Sequence, residues 1–410
     1  LTSTNDQETT IGNGTTITSS TFNIGKSNMP GKAKLKGAIN VNRLVVKSNS
    51  EMTVDVGGMA DVKEKIIIDS GALLKIKGNL IAPGIMGDFT IEGGGTTIVD
   101  KVTGNITMAE GRATFNAVIG NVGLGSGAIF KSEVLTGDFS LDHGADADIN
   151  ELTGDIAMGQ GTLNIGKVIG GVDIADGAVF KSEDVEGNIS VNGEDTQFTV
   201  ERVTGNVNVI KGRNQPGQSP GTTTINGDYT QGEGAQLDIE ISGTEISFYD
   251  QLIVVDGDVN LGGTLNITLI DDYIGDGVGE FNILSVTNGT ISGEFDHIEF
   301  PSNLASGYTW DISDLYTSGT LRIVRIDFSD IVESEINGAE IIINTNGNNY
   351  VLSSSRDEIV GDGNNPTLAL IRGGKYKFKH EGDGHPFKVS IGDIEEVVGP
   401  GESKVIIVPN

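Results

Sequence analysis

The chain of 410 residues has no cysteine, one tryptophan, 9 prolines and only 5% aromatic residues. Without cysteine there are no disulfides, thiolate nucleophiles or cysteine-ligated metals; the pattern is common among bacterial-type surface proteins but leaves the redox compartment open. No apolar stretch approaches the roughly 18 residues that a membrane-crossing helix needs, and no secretory signal is present. The first residue is Leu1 instead of Met, which points to a removed leader or a trimmed N-terminus. Positive charge is also scarce: 27 basic against 57 acidic residues give a formal charge of −30. Such a surface repels phosphate backbones and anionic membranes, so neither nucleic acid nor membrane insertion is expected.

Glycine, in contrast, is abundant, with 60 residues. It lacks the three-residue period of collagen and lies between short apolar runs, which predicts many tight turns between short strands. Helical periodicity is absent, so the expected fold class is all-β. From about 37 to 212 the sequence repeats. Thr103-Gly104-Asn105 aligns with Thr153-Gly154-Asp155 and Thr204-Gly205-Asn206. Gly127-Ala128-Ile129-Phe130-Lys131-Ser132-Glu133 likewise aligns with Gly177-Ala178-Val179-Phe180-Lys181-Ser182-Glu183, a period of 50 residues. Within it a glycine recurs at Gly87, Gly104, Gly120, Gly137, Gly154, Gly171, Gly187 and Gly205, every 16 to 18 residues.

Segments this short cannot bury their apolar side chains alone and must stack, which predicts a β-solenoid (β-helix) rod. At about 4.8 Å per coil, ten to twelve coils give roughly 50 to 60 Å. Ile106, Met108, Phe115, Ile129, Phe130, Leu135 and Phe139 are expected to point inward. The resulting division is a Thr/Ser-rich N-terminal arm or cap (1–36), the repeat region (37–218), a closing segment (219–325), a linker (326–339) and a C-terminal module (340–410).

Two stretches resemble known families. Gly227-Asp228-Tyr229-Thr230-Gln231, Gln236 to Ile241, Tyr249-Asp250-Gln251-Leu252 and Leu261-Gly262-Gly263-Thr264-Leu265 are similar to the closing part of autotransporter-type β-helical passenger domains. That resemblance implies a secreted surface protein, although no membrane-barrel segment accompanies it. Asn365 to Phe378 and Gly384-His385-Pro386-Phe387 resemble a cupredoxin-like β-sandwich. In that family the histidine of the His-Pro-Phe step belongs to a His, Cys, His and Met copper set. His385 matches it, but the chain lacks cysteine and has no histidine or methionine after His385, so no copper site is expected.

The remaining chemistry points away from catalysis. His380 is expected at the surface, and His143 and His297 lie far apart without partners for zinc or nucleophilic chemistry. Carboxylate groups that a glycosidase could use are Asp146 with Asp148, Asp173 with Asp176, and Asp271 with Asp272 and Asp276. They fall on turns or outward faces without the aromatic residues of a sugar cleft. Calcium is the inorganic ligand considered, at Asp256-Gly257-Asp258 and Gly275-Asp276-Gly277, but the nine-residue calcium repeat is missing. No catalytic, cofactor or metal residue is therefore assigned. Sequons at Asn13, Asn105, Asn188, Asn266 and Asn288 are short patterns in a Thr-rich chain. The expected function is a non-enzymatic extracellular or cell-surface protein, cellular or virion-borne. It would self-associate end to end as a fibre subunit, with Thr15 to Ile24 adding as a strand to a neighbour's C-terminal module. The alternatives are a tailspike-like carbohydrate-binding or -cleaving β-helix, or an adhesin for surface glycans or a host receptor.

Overall fold

A computed structural model describes residues 8–26, 29–305 and 308–325, and in the C-terminal part 340–346, 349–354, 375–380, 387–391, 394–399 and 401–407. The fold is nearly all β. It divides into two units. The first comprises Leu1–Tyr273, Phe281–Pro301 and Ile312–Leu321; the second comprises Ile274–Glu280, Ser302–Asp311 and Arg322–Asn410.

The first unit is a β-solenoid. Each coil of the repeat region has a short strand, a corner, then a longer strand that bends partway, so that three columns of parallel pairing run along the stack. Val122–Leu124 pairs with Phe139–Leu141 and then Ile156–Met158 in the first column. In the other two, Ala128–Thr136 lies on Ala145–Thr153, and its register skips Glu133 and Asn150 at the bend. In-register stacking explains the repeat, since one set of inward side chains must fit the sets above and below.

Ile106, Met108, Phe115, Phe130, Leu135 and Phe139 are buried as expected, and Phe115, Phe130 and Phe139 pack ring on ring with centroids 5.4 and 5.9 Å apart. Ile129 differs. It sits between inward Ala128 and Phe130 and so takes the half-exposed outer face, because side chains alternate along a strand.

The Thr/Ser-rich N-terminal segment is the first coil. Glu8–Ile11 pairs with Lys32–Leu35, and Thr16–Ile24 with Ala38–Val46. Thr16–Ile24 is thus fixed along one edge and does not hang free as a donor arm. Among the described residues, the outer edges of both first-coil strands are unpaired. The same columns continue to His297–Glu299, interrupted by longer excursions after Asn214, Ile241 and Leu269. At that end the Ile283 and Leu284 amides donate to the Gly319 carbonyl at 3.1 and 3.2 Å, and Leu315, in the helix Leu315–Ser318, is fully buried. The last coil is therefore capped in part, over Leu284–Thr287 and Ile291–Gly293, while His297–Glu299 stays largely exposed.

In the second unit, Tyr308–Asp311 pairs antiparallel with Arg322–Arg325. A four-stranded sheet has the order Asn349–Ser354, Glu340–Asn346, Lys375–His380, Ser403–Ile407, with a parallel central pair and antiparallel flanks. Phe387–Ile391 pairs antiparallel with Ile394–Val398. The linker 326–339, Asn365 and His385 lie outside the described residues.

Candidate functional site

One corner of the solenoid is built from a glycine followed by an Asn or Asp. The side-chain oxygen of each Asn or Asp accepts the backbone N–H of its counterpart one coil on: Asp88 from Asn105 at 2.7 Å, Asn105 from Asn121 at 2.8 Å, Asn121 from Asp138 at 2.9 Å, and Asp138 from Asp155 at 3.2 Å. The ladder resumes beyond Gly171, which carries no side-chain oxygen, and ends with Asp258 accepting from both the amide and hydroxyl of Thr290. The preceding glycines form their own column. A Cβ on Gly154 would lie 2.2 Å from the Gly137 carbonyl oxygen, and its φ is +149°. In the sixth member of the recurring series the column residue is Gly170, with φ +153°, whereas Gly171 occupies the ladder position.

This geometry accounts for one calcium candidate. Asp258 is a ladder member, and Asp256 accepts from the Asn288 amide at 2.8 Å. The two Thr290 donors hold the Asp258 carboxyl below its ordinary value. Asp276 directly follows Gly275, which has φ +60°. Among the described residues, no three His, Asp or Glu side chains converge as a metal site.

The closing segment contains a buried polar chain. The Asn214 amide donates to the Tyr229 hydroxyl at 3.3 Å, Tyr229 donates to Gln231 at 2.9 Å, and Gln231 donates to the Gly262 and Thr264 carbonyls at 2.9 and 3.0 Å. Burial pushes the Tyr229 phenol far above its ordinary value, so it stays protonated as a donor. Asp250 accepts the Gly221 and Glu240 amides at 2.6 and 2.8 Å, and Gln251 donates to the Asn282 carbonyl at 3.1 Å. Each of these buried groups needs such a partner. The motif that resembles a family signature is thus a set of cross-coil clamps.

A groove of about 960 Å³ runs across the outer face of successive coils. Outward Thr114, Lys131, Asp148, Asn164, Lys181 and Thr199 line it, and the loop Gln215–Ser219 walls one end. A second hollow, of about 530 Å³, shares Thr114, Phe115 and Glu133 with it. Lys131 binds Asp148 at 2.7 Å, and Asn164 donates to the same carboxylate at 3.1 Å. Lys131 first, then Asn164, holds the Asp148 carboxyl below the usual carboxylate range, which is unsuited to a general acid. Asp146, its sequence neighbour, does not line the groove; Asp173 lies on a different face, lining a hollow with Asn105 and Asp155. Asp271 and Asp272 occupy adjacent left-handed turn positions.

The histidines do not come together. His143 is exposed, with φ +55°, and pairs with Asp142 at 3.0 Å; His297 is exposed on the last coil. His380 is fully buried, contrary to the surface position expected from its sequence. Alternation places it inward with Tyr376 and Phe378, while Lys377 and Lys379 take the other face. No protein-family model, curated protein or solved structure matches the chain.

Proposed function

We propose that this chain is an exported, non-catalytic structural rod of the autotransporter-passenger kind, and that copies join end to end through the open edge of the first coil. The observation that carries the reading is the asymmetry of the solenoid's ends. Among the described residues the Thr16–Ile24 strand is hydrogen-bonded on one side only and has nothing packed over its open edge, whereas Ile312–Leu321 packs over part of the last coil, at Leu284–Thr287 and Ile291–Gly293. An open strand edge is a template for pairing unless it is blocked, and Thr16–Ile24 contains no proline and no charge to block it. The acceptor in a neighbouring copy is an edge strand of its four-stranded C-terminal sheet, Asn349–Ser354 or Ser403–Ile407, which would give a head-to-tail fibre.

Thr18 provides the test. The Thr15 carbonyl accepts from Ala38 and so points into the stack; alternation then turns the amides of Thr16 and Thr18 to the open side. Thr18→Pro removes an outward donor without breaking a bond inside the solenoid. Light scattering of the full chain is expected to show concentration-dependent oligomers that this variant dissolves. Oligomers unchanged by Thr18→Pro contradict the mode of joining.

A further inference from the structure

We infer that the groove walled by Gln215–Ser219 binds an extended, uncharged, hydroxyl-rich glycan chain. Three observations converge on it. First, regular coils of 16 to 18 residues give way at the wall: Asn206 and Asp228, equivalent ladder positions, are 22 apart, and the added residues form the loop that closes the groove.

Second, the groove carries the same lysine and glutamate pair twice, each around a buried serine. Lys131-Ser132-Glu133 and Lys181-Ser182-Glu183 both line it, three coils apart, or about 14 Å at the ordinary strand spacing. Two equivalent constellations at that distance suit a ligand that presents the same chemistry repeatedly along its length. A single small molecule cannot engage both.

Third, the two lysines are not in the same state. Lys131 is held by Asp148, but the residue in register with Lys181 on the next coil is Thr199. Lys181 has no ion pair among the described residues, and it shares the walled end of the groove with Glu183, Glu201 and Gln218.

The lining selects the ligand class. Lys131 and Lys181 against Glu133, Asp148, Glu183 and Glu201 leave a net negative groove on a chain of formal charge −30, which disfavours polyanions. Its one aromatic lining residue, Phe115, is buried, so the groove offers no exposed ring to an apolar ligand. Carboxylates that accept, lysines and amides that donate, and Thr hydroxyls that do both match a row of sugar hydroxyls. Without a stacking ring each contact is weak, and affinity must grow with chain length.

The experiment is affinity electrophoresis of the full chain in gels containing soluble mannan, xylan, β-glucan, starch or polygalacturonate. Calorimetry would then compare the hexaose with the disaccharide of any retarding polymer. Retardation by a neutral polymer, tighter binding of the hexaose, and a loss of about tenfold in Lys181→Ala but not in Lys101→Ala, on another face, are expected. Circular dichroism verifies that both variants fold. The inference is overturned if no neutral polymer retards the chain, if polygalacturonate alone does so, or if Lys181→Ala binds as the parent does.

Discussion

The carboxamide oxygen of Asn121 accepts the backbone N–H of Asp138 one coil further along, at 2.9 Å. The same relation links successive corners along the solenoid, so a residue type usually read as turn chemistry here joins one turn to the next. Asn121→Ala removes the acceptor of the Asp138 amide at an exposed corner and is expected to cost about 1 kcal/mol. Hydrogen exchange is the sensitive readout, because coils couple mainly to their neighbours. Faster exchange should centre on Asp138, and unchanged exchange there contradicts the ladder's role.

The glycine column is predicted to be less tolerant than the ladder. Gly154→Ala combines φ +149° with a Cβ placed 2.2 Å from the Gly137 oxygen, whereas Gly144→Ala at φ +76° meets nothing within 4 Å. The expected losses are more than about 2 kcal/mol for Gly154→Ala and about 1 kcal/mol for Gly144→Ala. Urea midpoints separate the two; equal losses would mean that the close approach of the coils carries no penalty.

Tyr229→Phe deletes the hydroxyl between Asn214 and Gln231 and leaves buried amides short of a partner. The expected cost is about 1 to 3 kcal/mol, read by thermal unfolding. A neutral result would show that the polar chain re-forms without Tyr229.

Asp250 gives the solenoid a pH dependence. Burial pushes its carboxyl from 3.8 up to about 7, against the Glu240 and Gly221 amides, which pull it down. The folded chain therefore keeps a proton that the unfolded chain releases above about pH 4. This contribution to stability is complete below that pH and is lost as pH rises through about 7. Urea midpoints should fall between about pH 4.5 and 7.5, and Asp250→Asn, which cannot ionise, should flatten that fall. Parallel profiles for the two proteins contradict the assignment.

The solenoid was legible in the sequence because stacking forces inward side chains to recur; the recurrence of Phe130 as Phe180 is that constraint written out. Ile129 was misread because apolar character does not reveal the phase of alternation, and His380 because its strand neighbours fix its side. The Asn and Asp ladder left a signal, an Asn or Asp after seven of the eight glycines at 16 to 18 spacing, but its bonds join residues that only stacking brings together. The same applies to the groove. Lys131 and Asp148 are 17 positions apart, and the wall at Gln215–Ser219 is more distant still. The Tyr229, Gln231 and Asp250 pattern was visible as a resemblance, whereas its physical cause, buried polar groups clamped across coils, required the coordinates.

Electron microscopy of the full chain beside Thr18→Pro at matched concentration tests the central claim most directly. The account predicts linear fibres for the parent chain and separate short particles for the variant. Separate particles in both samples, or identical fibres in both, would contradict assembly through the first coil.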